Sequence, residues 1–112
     1  MTPLLVALGA AVGATLRFWV AHHLDDRWPT GTLLVNVAGS FVLGLVVSAG
    51  ASGDRLALLG TGFCGGFTTY SAFAVQTHRL GGRRGTAYAV VTIGASLAAC
   101  TVGALLGEAP YP

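Results

Sequence analysis

Uncharged polar side chains recur at every fourth position in two of the chain's apolar stretches. They are Thr32, Asn36 and Ser40 in the first stretch and Tyr88, Thr92 and Ser96 in the second. Because a step of four residues turns an α-helix by about 40°, each set forms one polar stripe along a helix. Hydroxyl and amide groups donate hydrogen bonds without carrying a positive charge. Each stripe is therefore either a row of donors for a small anion or a source of hydrogen bonds between helices.

The choice between these interpretations depends on the rest of the chain. Hydrogen bonds between membrane helices are common and contribute only about 0.6 kcal/mol each, so one stripe alone would favour that structural role. Two matched stripes, together with a helix that the segment at 61–73 predicts to be interrupted, instead favour a path along which an anion exchanges water for protein donors.

Carboxylates occur only at the ends of the apolar stretches. They are Asp25, Asp26, Asp54 and Glu108, and the chain has no lysine. A cation pore or a proton-coupled exporter usually carries a carboxylate at membrane depth. The absence of such a carboxylate therefore favours a pathway for an anion. We also find no activated nucleophile, paired carboxylates or phosphate loop in the sequence, and we do not expect an enzyme.

The segment TGFCGGFTTYSAF, at positions 61–73, places glycines and threonines inside an apolar stretch. A backbone N–H or C=O left unpaired in hydrocarbon costs several kcal/mol, so a break is tolerated only where protein or a polar cavity surrounds it. The ends of a broken helix expose carbonyls that attract cations and amides that attract anions. This segment therefore predicts an ion site.

Composition places the chain in a membrane. Of its 112 residues, 54% are hydrophobic and 9% are charged, against roughly 25% charged in soluble domains. A span needs about 20 apolar residues, and we predict four, at 3–21, 31–50, 55–77 and 85–107. The predicted fold is one all-α domain covering 1–112 with its third helix broken mid-membrane. His22 and His23 are expected in the first connection, as solvated loop residues.

Arginine predicts the orientation of the spans. The first and third connections carry Arg27, Arg79, Arg83 and Arg84, whereas the terminal side carries only Arg55. Under the positive-inside rule these connections are cytoplasmic and both termini lie outside. Arg17, near the cytoplasmic end of the first span, either snorkels to the interface, attracts anions to a vestibule or ties helices together.

Three segments, GAAVGATLRFWV, PTGTLLVNVAGSFVLG and GFCGGFTTYSAF, resemble the motifs of the bacterial Fluc, or CrcB, fluoride channels. The resemblance covers nearly the whole chain. It implies a multi-pass protein of the bacterial cell membrane that lets fluoride leave the cytoplasm by passive electrodiffusion and so lowers fluoride toxicity. It also implies an antiparallel dimer with two fluoride pathways and a structural sodium ion at its centre.

The resemblance also implies roles for individual residues. The sodium ion would be held by the backbone carbonyls of Gly65 and Thr68, and Arg17 matches the arginine that closes the first motif. The implied fluoride pathway consists of Asn36, Tyr70, Phe73, Thr32, Ser71, Tyr88, Thr92 and Ser96. Members of the family usually have phenylalanine at the position of Tyr70.

Two other functions remain open at this point. A small multidrug exporter shares the size, span count and antiparallel pairing, although it would normally need a carboxylate in its first span. A membrane scaffold would use the polar stripes only to join helices, which leaves the glycine–threonine break unexplained. The partner in the dimer also remains open. It is either a second copy of the chain or an oppositely inserted relative, and the arginine bias favours the relative.

Overall fold

The computed structural model describes residues 2–26 and 28–108, which form helices and no extended strand. In chain order the elements are α1 (Thr2–Leu24), α2 (Thr30–Ser48), α3 (Gly53–Arg55), a π-helix (Leu56–Cys64), α4 (Gly65–Phe67), α5 (Tyr70–Leu80) and α6 (Gly82–Gly107). The predicted all-α class is confirmed. Arg27, which contributed to the predicted orientation, lies outside the described residues.

Three of these helices, α1, α2 and α6, are long and apolar enough to cross a membrane. They coincide, within a few residues at each end, with three of the predicted spans. Their outward faces are apolar, with side chains such as Val90, Leu97 and Leu105 more than 60% exposed. An apolar exterior of this kind suits contact with lipid rather than with water.

The third helical stretch in chain order, between α2 and α6, is interrupted, as the sequence predicts. Residues 53–67 run continuously through α3, the π-helix and α4. Thr68 and Thr69 then take extended backbone angles, with ψ of 159° and 121°, before α5 begins at Tyr70. The π-helix was not predicted. Its wider turn shifts the register of the side chains that follow it.

The predicted loop position of His22 and His23 is wrong, because both lie in the last turn of α1. Aromatic contacts one turn earlier extend the helix: the His22 ring stacks on Phe18 at 5.9 Å, and the His23 ring lies 4.6 Å from Trp19. Such pairs four residues apart stabilise helices.

Glycines let the helix backbones touch. A Cβ added to Gly103 of α6 would collide with the Phe41 carbonyl of α2 and would lie 3.1 Å from the Leu45 nitrogen. A Cβ added to Gly9 of α1 would lie 2.7 Å from the Phe63 nitrogen of the π-helix. Close backbone contact through small residues is the usual way of packing helices in lipid. It fixes α6 against α2, and α1 against the broken stretch.

Candidate functional site

An open cavity of about 610 Å³ lies beside the break at Thr68–Thr69. Parts of α2, the π-helix, α5 and α6 line it, and most of its wall is apolar. Its uncharged polar side chains are those of Asn36, Ser40, Thr61, Thr68, Thr69, Thr92 and Ser96, and the rings of Tyr70 and Phe73 complete the wall. The cavity therefore brings together most of the residues that the sequence predicts for the site.

Asn36 holds the break in place. Its Nδ2 donates to the Thr69 carbonyl at 3.1 Å, and the Thr69 N–H donates to its Oδ1 at 2.8 Å. The amide thus pairs backbone groups in extended geometry, which satisfies a strict requirement inside a membrane. An amide nitrogen carries two hydrogens, so Asn36 keeps one donor for the cavity that it lines.

Thr69, which is not among the predicted site residues, is the N-cap of α5. Its Oγ1 accepts a hydrogen bond from the Ala72 N–H at 3.1 Å, as in a helix N-cap. The signal was available, because threonine directly before a helical run is a common cap. Ser71 is exposed and lies 3.3 Å from the Thr69 hydroxyl. It is not among the residues that line the cavity, so its predicted role stays a prediction.

Backbone oxygens cluster on the other side of the break, where α4 ends. The Cys64 carbonyl accepts from both the N–H and the hydroxyl of Thr68, at 2.9 and 2.8 Å. Arg17 donates from Nε to the Gly66 carbonyl at 3.1 Å. Of the roles open to Arg17, the geometry supports tying α1 to the broken helix.

The residues at this end are those for which the sequence predicts an alkali cation. Gly65 and Thr68 both line the cavity, and a Cβ added to Gly65 would meet no atom within 4 Å. Carbonyls at the end of a half-helix carry partial negative charge, and unwound backbone of this kind coordinates sodium in transporters. Two carbonyls from one chain do not complete a coordination shell, so a cation here would need further oxygens.

Three hydroxyls on α6 are buried without partners. The side chains of Tyr88 and Thr92 are 4% and 3% exposed. The hydroxyl oxygens of Tyr88, Thr92 and Ser96 have no hydrogen bond to any described residue. Leaving such a group unpaired costs about 1–3 kcal/mol, so native proteins seldom do so without a ligand or water to fill the gap. This row is the strongest indication of a bound polar species.

Aromatic rings connect the break to this row. The Phe73 ring centre lies 6.2 Å from that of Tyr70 and 5.7 Å from that of Tyr88. Ring edges carry partial positive charge, so Phe73 is able to face an anion between the two. Tyr70 is 81% exposed and covers little of the cavity within one chain.

Thr32 is engaged elsewhere. Its N–H and hydroxyl donate to the two carboxylate oxygens of Asp25, both at 2.9 Å, and its side chain is 2% exposed. Pro29, at the N-cap position of α2, has no side-chain oxygen to accept these bonds, so Asp25 replaces it. The structure therefore does not place Thr32 in the row of free donors, and its predicted fluoride role stays a prediction.

Residues 4–108 match the family described as "CrcB-like protein, Camphor Resistance (CrcB)". The chain is 50% identical over 109 residues to "Fluoride-specific ion channel FluC 2" of Rhodococcus jostii, a match that covers 96% of each chain. It is 44% identical to "Fluoride-specific ion channel FluC 2" of Haloarcula marismortui, over 88% of this chain and 84% of the relative. It is 35% identical to "Fluoride-specific ion channel FluC" of Rhodospirillum rubrum, over 96% and 92% respectively.

Proposed function

The chain belongs to the CrcB family, and from that premise we propose that it is a channel through which fluoride leaves the cytoplasm. The observation that carries the proposal within the structure is the row of buried, unpartnered hydroxyls of Tyr88, Thr92 and Ser96, of which Thr92 and Ser96 line the cavity. The names of its relatives supply the ion, because each is called a fluoride-specific channel.

The chemistry of the row suits a small anion. A fluoride ion that enters an apolar space must exchange its water for other donors. The hydroxyls on α6, the free Asn36 hydrogen and the edge of the Phe73 ring supply neutral donors along one side of the cavity. Because these groups are uncharged, they replace water without holding the ion so tightly that conduction stops. Passive export of this kind would lower fluoride toxicity.

The family and the long apolar helices make this a multi-pass membrane protein, and the predicted location is a bacterial cell membrane. We propose that residues 53–67 and α5 together form a fourth span, with the break at mid-membrane. At 1.5 Å per residue they amount to roughly 40 Å of helix, enough to cross a hydrocarbon core of about 30 Å. The domain would then comprise the whole of 1–112.

The open face of the cavity supports the proposed antiparallel dimer. It exposes the ring and hydroxyl of Tyr70, and lipid tails offer that hydroxyl no hydrogen-bond partner. A second subunit, inserted in the opposite direction, would cover this face and complete two pathways. It would also bring a second pair of Gly65 and Thr68 carbonyls to the proposed sodium site.

The orientation and identity of that second subunit follow from the arginine bias. We propose that the chain inserts one way, with loop 25–29 and Gly81 on the cytoplasmic side, and pairs with an oppositely inserted relative. A reporter fused to the C-terminus would then appear on one membrane face only. Equal signal on both faces would instead establish a dimer of identical subunits inserted in both directions.

Ion flux from liposomes tests the function. Proteoliposomes loaded with potassium fluoride and given valinomycin should release fluoride to an ion-selective electrode, whereas the same vesicles loaded with chloride should release almost none. Protein-free vesicles provide the baseline. Proton-dependent uptake of a lipophilic cation would instead support an exporter. No flux of any ion from correctly folded protein would support a scaffold, or a channel that conducts only with its oppositely inserted partner.

The cavity also argues against the exporter. Among the described residues that line it, none carries a carboxylate or an ammonium group. A proton-coupled cation exporter needs a titratable group in its binding site, and this wall offers only neutral donors and apolar side chains.

A further inference from the structure

One end of the molecule carries an exposed group of positive charges, which we call the basic rim. It consists of Arg79 at the end of α5 and of Arg83 and Arg84 at the start of α6. All three side chains are exposed. Within the described part of the chain, none of them forms an ion pair with a carboxylate. The rim is therefore a patch of uncompensated charge, which an anionic partner would complement.

Aromatic side chains indicate the depth of the basic rim in the membrane. The Arg84 guanidinium lies 5.1 Å from the centre of the Trp28 ring, a cation–π contact that joins the rim to the loop before α2. Trp28 is 44% exposed, and Trp19, near the same end of α1, is 59% exposed. Tryptophan concentrates where hydrocarbon meets water. The rim thus lies at the level of the lipid headgroups.

The carboxylates at this end do not neutralise the rim. Asp25 is occupied by the N–H and hydroxyl of Thr32, which leaves Asp26 as the exposed carboxylate on the loop. Among the described residues at this end, three exposed arginines therefore outnumber one exposed aspartate. Guanidinium groups bind phosphate through paired hydrogen bonds and are only weakly hydrated.

We propose that the basic rim binds the phosphate groups of anionic phospholipids, such as phosphatidylglycerol, in the adjoining leaflet. The occupant is a lipid rather than a soluble acidic partner, because Arg83 and Arg84 lie in the first turn of the membrane-spanning helix α6, at the end that carries the exposed tryptophans. Arg79 lies in the last turn of the preceding helix, α5. Clusters of arginine directly next to a membrane span are attracted to anionic headgroups in this way. Such binding would hold this end at one leaflet independently of what passes through the cavity.

Tryptophan quenching tests the proposal. The chain has two tryptophans, so W19F leaves Trp28 as the single reporter. The variant is reconstituted in phosphatidylcholine vesicles that contain a fixed fraction of either brominated phosphatidylglycerol or brominated phosphatidylcholine. Brominated chains quench a tryptophan that they touch. We expect brominated phosphatidylglycerol to be favoured at Trp28 by at least about fivefold at low salt, and the preference to shrink at high salt.

Removing the charges provides the decisive comparison. R79Q/R83Q should abolish the preference while keeping the Arg84–Trp28 contact, and R55Q, at the other end of the molecule, should leave it unchanged. Equal quenching by the two lipids before any arginine is changed would overturn the proposal. An unchanged preference in R79Q/R83Q would do the same. If W19F folds poorly, the same comparison is made with both tryptophans present.

Discussion

The Asn36 side chain and the Thr69 backbone bind each other through two hydrogen bonds across a separation of 33 residues. One bond uses the amide as donor and the other uses it as acceptor, so neither an aliphatic side chain nor an ionised carboxylate reproduces the pair. The break in the third helical stretch is therefore held by α2. Any change in α2 at this point should alter the cavity.

Asn36→Asp tests this dependence. The carboxylate cannot donate to the Thr69 carbonyl, and it places negative charge beside the proposed anion path. We expect fluoride efflux to fall at least tenfold and the free energy of unfolding to fall by about 1–3 kcal/mol, with the dimer still assembled by size-exclusion chromatography. Thr15→Val, which removes a hydroxyl bonded to its own helix at Ala11, should conduct normally. Efflux at the wild-type rate in Asn36→Asp would place the pathway elsewhere.

Phe73→Ile tests the aromatic part of the path. The change keeps an apolar side chain but removes the ring edge between Tyr70 and Tyr88. We expect a sharp loss of fluoride efflux without loss of the dimer. Val75→Ile, on the exposed face of the same helix at 63% exposure, is the matched control and should conduct like the wild type. Equal rates in the two variants would show that the ring plays no part in conduction.

The helices were predictable because their cause is local. Long apolar runs led to α1, α2 and α6, and glycine and threonine in the segment at 61–73 led to the break. The extent of α1 was underestimated because polarity alone marked His22 and His23 as a loop. Their ring contacts with Phe18 and Trp19 are a property of the folded helix. Nothing in the apolar sequence LALLGTGFC distinguishes a π-helix from an α-helix.

The site was only partly predictable, because its contacts join residues that are distant in the sequence. Periodicity placed Thr32 on the same stripe as Asn36, but the stripe does not reveal that Asp25 takes both donors of Thr32. The partner of Asn36 likewise lies on another helix. By contrast, the unpartnered hydroxyls of Thr92 and Ser96 fall where the fourth-residue spacing puts them. Spacing along one helix predicts which groups share a face, whereas contacts between helices need the fold.

Gly103→Ala tests the packing of α6 on α2. The added methyl group would collide with the Phe41 carbonyl, so we expect a loss of about 1–3 kcal/mol of stability and a lower melting temperature in detergent. Gly94→Ala, on the same helix, would meet no atom within 4 Å. It should be neutral or slightly stabilising, because alanine favours a helix by about 1 kcal/mol over glycine. Equal melting temperatures for the two variants would contradict this packing.

Replacement of sodium tests the proposed cation site. If the carbonyls of Gly65 and Thr68 from two subunits hold sodium, the ion stabilises the folded dimer by mass action. We expect the melting temperature to fall when N-methyl-D-glucamine replaces sodium at constant ionic strength, and to recover when sodium returns. A melting temperature that does not depend on sodium would show that these carbonyls are satisfied in some other way.

The most direct test compares Thr92→Val with Thr101→Val. Both replace threonine on α6 by its near-isostere, but the Thr92 hydroxyl is unpartnered beside the cavity, whereas that of Thr101 bonds to Leu97 of its own helix at 2.9 Å. We expect Thr92→Val to lose at least tenfold in fluoride efflux with no loss of stability, and Thr101→Val to conduct normally. Wild-type efflux through Thr92→Val would contradict a path along these hydroxyls.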